Sequence, residues 1–155
     1  FRYANTTAHS FITAAACAEA GGDLATINRV VFDTNSFAKM KMQSWIVHNT
    51  SFLAGGQIAL CAIPRAVEQQ IGVTEDDMDS ISGLARSIEG VKMAATLREM
   101  ADGRVKVSVR AIPGYDAAAV CAKFGGGGHK GAAGATFDLP LEEAAETVAE
   151  AMPEM

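Results

Sequence analysis

Aromatic residues are scarce in this chain of 155 residues: one tryptophan, two tyrosines and seven phenylalanines. That excludes the usual grip on a long single strand of nucleic acid, in which bases stack on successive rings along a basic channel. Positive charge is also short. Thirteen Lys and Arg against eighteen Asp and Glu leave a net charge of −5, the wrong sign for a broad electrostatic hold on a polyanion. No run approaches the roughly 18 apolar residues that span a bilayer, and no secretory leader layout is present. The three cysteines, Cys17, Cys61 and Cys121, are odd in number, far apart and set among apolar residues. They exclude a disulfide framework and a zinc site, and are expected to be buried thiols in a reducing cytoplasm. Three histidines, His9, His48 and His129, have no metal-ligand spacing. There is no HExxH, no nucleophile elbow and no Walker motif. The chain opens at Phe1 without a methionine and reads as the middle of a longer polypeptide.

What is abundant is small and apolar. The hydrophobic share is 49%, much of it alanine, with 20% charged, an ordinary globular composition. The length suits one domain, or one domain with a helical extension, and a chain of this size buries about two-thirds of its unfolded surface. Glycine is concentrated in one place, the run GGGGHKGAAG from Gly125 to Gly134. Four successive glycines are a poor fit to a helix or strand interior. They fit a loop where bare backbone approaches a ligand. Charge is concentrated there too. Between Gly103 and Ala135 lie Arg104, Lys106, Arg110, Lys123 and Lys130 against Asp116 alone, whereas from Thr136 onward there are six acids and no base. A local positive site in an acidic shell suits a small anion.

The first third reads as helices. Thr6 or Thr7 caps one through SFITAAACAEA that stops at Gly21-Gly22, and Asp23 caps LATINRVVF. Ser36 starts a longer helix ending at Gly55-Gly56. Its Phe37, Met40, Ser44, Trp45, His48 and Phe52 recur at helical spacing as a packing face. Gln57–Ile63 reads as a buried strand stopped by Pro64, followed by a helix from that proline. The acids Glu75, Asp76, Asp77 and Asp79 open a helix expected to reach Glu89-Gly90; they read as its solvated first turn rather than as metal ligands. VKMAATLREM and RVKVSVRA flank Asp102-Gly103 as a β-hairpin. In its second strand Val105, Val107 and Val109 alternate with Lys106, Ser108 and Arg110, so Ser108 and Arg110 share the face opposite the valines. Asp116 caps a helix leading into the glycines, and a strand near ATFDL and a helix, LEEAAETVAEAM, close the chain. The sum is an α/β (α+β) fold: N-terminal linker helices, then a mixed β-sheet flanked by helices.

Successive amides of a glycine-rich turn can form a cationic nest for an anion. A helix starting near His129 would add its free N-terminal amides. His129 could donate to a phosphate oxygen or a base edge, Arg110 offers a planar fork, and Ser108 a hydroxyl. The other reading is a turn required only for tight packing. With no catalytic motif beside the loop, the chain looks able to hold a phosphate ester but not equipped to cleave one.

The order GGGGH-x-x-AAG, preceded by the S-x-R strand of Ser108 and Arg110, resembles the signature of the DHH-associated domain (subtype 1), the substrate-binding lobe of DHH phosphoesterases. FRYANTT, Phe1 to Thr7, is similar to the stretch after the last metal-binding aspartate of the catalytic DHH lobe in the nano-RNase/pAp phosphatase branch. The resemblance implies residues 1–55 as the end of the DHH domain with a helical linker, and 56–155 as the substrate-binding domain. It implies that Ser108, Arg110, Gly125, Gly126, Gly127, Gly128 and His129 grip a short oligoribonucleotide or nucleotide phosphate, with Arg2 and Asn5 where the lobes join. It implies two manganese ions in an upstream DHH lobe, a cytoplasmic enzyme without a membrane anchor, and no hydrolysis by this chain alone, since the DHH metal motifs are absent from it. The helix with Trp45 would pack on that lobe or on a second subunit of a homodimer. Alternatives are the corresponding lobe of a cyclic-dinucleotide phosphodiesterase or of a single-strand DNA exonuclease, and a free-standing nucleic-acid-binding module.

Overall fold

A computed structural model of the protein describes residues 5–153, which fall into two compact units divided between Asn35 and Ser36. In the first, Thr7 caps α1 (Ala8–Glu19), its amide donating to Ser10 Oγ at 3.2 Å. The Asp23 carboxylate accepts the Thr26 amide at 3.0 Å and starts α2 (Leu24–Asn28), which runs on as a π-helical turn, Arg29–Asp33. None of these helical residues is buried. Cys17 is therefore exposed, against the expectation of three buried thiols, because α1 forms no core around it.

The second unit opens with α3 (Phe37–Asn49), capped by Ser36 Oγ accepting the Lys39 amide at 2.9 Å. The helix ends five residues before its expected limit. The Thr50 hydroxyl donates to the Ile46 carbonyl at 2.6 Å, and Ser51–Leu53 leaves the helix as strand β1, a change that β-branched Thr50 and aromatic Phe52 favour. Of the expected stripe, Trp45 packs on the core formed with Met42 and Ile46. Met42 and Ile46 are buried, while Phe37, Met40 and Phe52 are exposed.

Strands β2 (Ile58–Ile63), β3 (Met93–Glu99), β4 (Val105–Ala111), β5 (Gly127–His129) and β6 (Ala132–Phe137) complete a six-stranded sheet ordered β1-β2-β3-β4-β6-β5. Only the β2/β3 pairing is parallel, so the sheet is mixed, as expected. Its crossover carries α4 (Arg65–Ile71), α5 (Glu75–Ile81) and a 3₁₀ turn, Ala85–Ser87. The expected helix to Glu89 stops at Ile81, where Ser82-Gly83 interrupts it.

One sheet face is apolar throughout. Val105, Val107 and Val109 pack with Leu97 and Phe137 beneath α6 (Ala117–Ala122) and α7 (Leu141–Ala151). Each such side chain contributes about 1.5–3 kcal/mol on burial. The other face is covered over β2 and β3 by α3, α4 and α5, where Met42, Ile46, Cys61, Ile63, Met78 and Ile81 form a second core. Over β4, β6 and β5 that same face lies open.

Candidate functional site

On the open face the strand register sets residues in rows. Ser108 pairs with Gly134 and Gly134 with Gly127; Arg110 pairs with Ala132 and Ala132 with His129. Strands lie about 4.8 Å apart, so each row spans roughly 10 Å. The middle of both rows carries a methyl group or nothing, which leaves a cleft of ≈ 440 Å³. Gly127, Ala132 and Gly134 form its floor. Lys106, Ser108 and Arg110 line it along β4, and Met78, Asp79 and Ser82 form the wall beyond.

Arg110 is steered into place. Its Nη2 donates to Ser82 Oγ at 3.0 Å and its Nη1 to the Val109 carbonyl at 3.2 Å. Ser82 is held in turn by Thr96, whose hydroxyl donates to the Ser82 carbonyl at 3.4 Å. A guanidinium has five N–H donors; two are used here, so donors remain for a ligand. Sequence reasoning missed Ser82, which reaches Arg110 from 28 residues away and carries no local signal.

The glycine run works differently from the expected nest. Gly125, with φ 72°, ends α6 in a Schellman arrangement: its amide donates to the Ala122 carbonyl at 3.2 Å and the Gly126 amide to the Cys121 carbonyl at 3.0 Å. Both amides are thus taken by the helix end. No helix starts at His129. Gly127, Gly128 and His129 form edge strand β5, turning through Lys130-Gly131 into β6. The expectation that glycines avoid strands fails because contact, not propensity, decides here. A Cβ at Gly126 would collide with the Gly134 carbonyl oxygen and lie 2.7 Å from Ala135 Cβ, and one at Gly128 would lie 2.6 Å from the Ala132 carbonyl oxygen. Only glycine lets β5 close on β6. His129 is exposed at the end of the Arg110 row, on the same face.

Behind the cleft lies a buried ion network. Arg98 on β3 donates through Nε to Glu68 at 2.7 Å and through Nη2 to Glu75 at 3.0 Å, and it also lines the cleft. The Arg98 hydrogen bonds hold the Glu75 carboxyl below its ordinary 4.5, and burial works against them. A depressed carboxylate stabilises the fold above its unfolded pKa and loses that contribution as pH falls through the folded one. The Glu75 side chain is 68% exposed, so the contribution is screened to about 0.5–1 kcal/mol. Glu75→Gln is expected to cost this amount in urea unfolding at pH 7 and progressively less as the pH is lowered through the carboxylate range; an equal cost throughout would show that the ion pair is not its source.

Asp77 in the first turn of this helix is structural. Asp77 accepts from the Thr74 amide at 3.0 Å and from the Ser36 hydroxyl at 2.9 Å, which together lower its pKa, the Thr74 bond first. Burial pushes the Cys61 thiol up to about 11 and raises Cys121 as well, so neither is a nucleophile. Among the described residues no group of three or more His, Cys, Asp or Glu could hold a metal ion, and no helix is long and apolar enough to cross a membrane. Arg2 lies outside the described residues. Asn5 is exposed in the turn before α1.

A mixed sheet flanked by helices defines an α/β domain, and comparison with known proteins agrees with that class. Residues 55–154 match the DHHA1 domain, and the chain belongs to that family. It is 36% identical over 156 residues to the bifunctional oligoribonuclease and PAP phosphatase NrnA of Thermus thermophilus, covering 99% of this chain and 46% of that protein. The protein of the same name from Mycoplasma genitalium is 24% identical over 135 residues, covering 87% of this chain and 41% of its own length. The chain therefore spans less than half the length of these curated relatives. An exopolyphosphatase-related protein from Bacteroides fragilis has the same fold, with a TM-score of 0.88 at 23% identity, over 97% of this chain and 44% of that one.

Proposed function

We propose that this chain is the substrate-gripping lobe of a cytoplasmic phosphoesterase that hydrolyses short oligoribonucleotides or pAp. The observation that carries the reading is the cleft: Arg110, aimed by Ser82, stands beside Ser108 over a floor of Gly127, Ala132 and Gly134. A cleft of ≈ 440 Å³ falls in the size range of small-ligand sites. Its arginine offers a charge-assisted fork to a phosphate, and exposed His129 adds a donor at the end of the row. The likeness to two proteins named as oligoribonuclease and PAP phosphatase supports the substrate class. The donor set for a metal pair is not found among the described residues. On this reading the two manganese ions that the DHH family implies would be held by an upstream lobe of the same polypeptide, joined near Arg2 and Asn5. The chain's own part is to bind and orient the nucleotide, so by itself it hydrolyses nothing.

Equilibrium titration with pAp and with a short oligoribonucleotide tests the grip. An arginine–phosphate contact contributes about 1.5–3 kcal/mol, so Arg110→Ala/His129→Ala is expected to bind roughly 10–100-fold more weakly, with a shallower salt dependence. Equal affinity in the variant and the unaltered protein would remove the cleft from consideration.

A further inference from the structure

The cleft does not end at Ser108. A second cavity of ≈ 480 Å³ begins where it stops, and the two share Lys106, Ser108 and Gly134. They form one groove running along β4. The far part is walled by the hairpin turn at Asp102 and Arg104, by Thr136 opposite Lys106, and by the half-buried ring of Phe124 beside Gly125 and Gly126.

Two cations line this far part, in different states. Arg104 is tied to Asp102, with Nη2 2.7 Å from Oδ2 and Nε donating to the same oxygen at 2.8 Å. Lys106 is exposed, and among the described residues no hydrogen bond or ion pair engages its ammonium group. It stands where the two cavities meet. Same-face residues on a strand repeat about every 6.8 Å, which puts Arg110 and Lys106 roughly 13 Å apart along β4. That is a long reach for the phosphates of one nucleotide and a natural one for a chain of two or three.

We infer that the groove holds a second nucleotide subsite beyond Lys106, and that Lys106 is the specificity residue that favours an oligoribonucleotide over a single nucleotide. This rests on the reading of the first cleft as a nucleotide grip. Arg110 holds the nucleotide common to both ligands, and Lys106 meets a later phosphate that only the oligonucleotide has.

The test is a titration of the full-length protein carrying this chain, in EDTA so that no turnover occurs, with pAp and with a 5′-phosphorylated triadenylate. Lys106→Gln, an exposed substitution outside both cores, is expected to weaken triadenylate binding about 5–10-fold and to lower its salt slope by about 0.7, a larger loss than it causes for pAp. Arg110→Ala is expected to weaken both ligands. If Lys106→Gln affects both ligands equally, or neither, the second subsite is overturned while the loss in Arg110→Ala upholds the first. If Arg110→Ala changes neither ligand, or the unaltered protein binds neither, the nucleotide reading of the cleft itself falls.

Discussion

Gly126→Ala is expected to lower the melting temperature by about 4–10 °C and to abolish ligand binding at the cleft. The added methyl has no room. It would collide with the Gly134 carbonyl oxygen and sit 2.7 Å from Ala135 Cβ and 2.9 Å from Ala135 Cα. Backbone and a methyl group cannot swing aside as the end of a long side chain would, so the loop must lift away from β6. Overpacking of this kind costs about 1–3 kcal/mol or somewhat more, and each kcal/mol moves the melting point of a chain this size by about 2–4 °C. The displaced strand, β5, carries Gly127, a floor residue. Gly127→Ala makes the matching control, since a Cβ there meets nothing within 4 Å and enters the cleft. It is expected to melt normally and bind nucleotide weakly. Calorimetry and titration of the pair check both statements; a Gly126→Ala protein as stable as the original would show that β5 does not depend on this contact.

Glu68→Ala is expected to cost about 3 kcal/mol, the largest loss of any single polar change in this unit. Arg98 and Glu68 have side chains only 6% and 10% exposed, and two hydrogen bonds, at 2.7 and 2.9 Å, join them. Removing one partner of a buried pair leaves an uncompensated charge in the core, typically worth 3–5 kcal/mol. Here Glu75 remains to hold part of the guanidinium, which places the estimate at the lower end. The melting point should fall by about 6–12 °C. A drop below about 2 °C would mean that water or Glu75 replaces the lost carboxylate. Because Arg98 lines the cleft and anchors the start of α5, the same change is expected to loosen Ser82 at the end of that helix, and with it Arg110.

Much of this architecture was legible because local rules decide it. Alternation of valine with Lys106, Ser108 and Arg110 is a period-2 signal, and it put Ser108 and Arg110 on the face where they stand. Helix starts at Asp23, Ser36 and Asp116 follow from side chains that accept helix amides. What was not legible depends on distant contact. The glycine run has no periodicity, so nothing local announced that it would cap α6 and then pair with β6. The Ser82–Arg110 bond joins residues 28 apart and required the parallel crossover to be in place. On α3, Phe37 and Met40 are as apolar as Met42 and Ile46, and only the position of β2 selects which pair is buried within this unit.

A floor of Gly127, Ala132 and Gly134 has no rotatable side chain. A ligand laid upon it freezes no rotamers there, so the ordering cost of binding falls almost wholly on the few long side chains along β4 and on the ligand itself. The same bareness leaves the floor nothing with which to discriminate among bases. Selection between ligands must then be written in the walls, in the reach of Arg110 and Lys106 and in the position of Ser82, where single substitutions can alter preference without disturbing the sheet beneath.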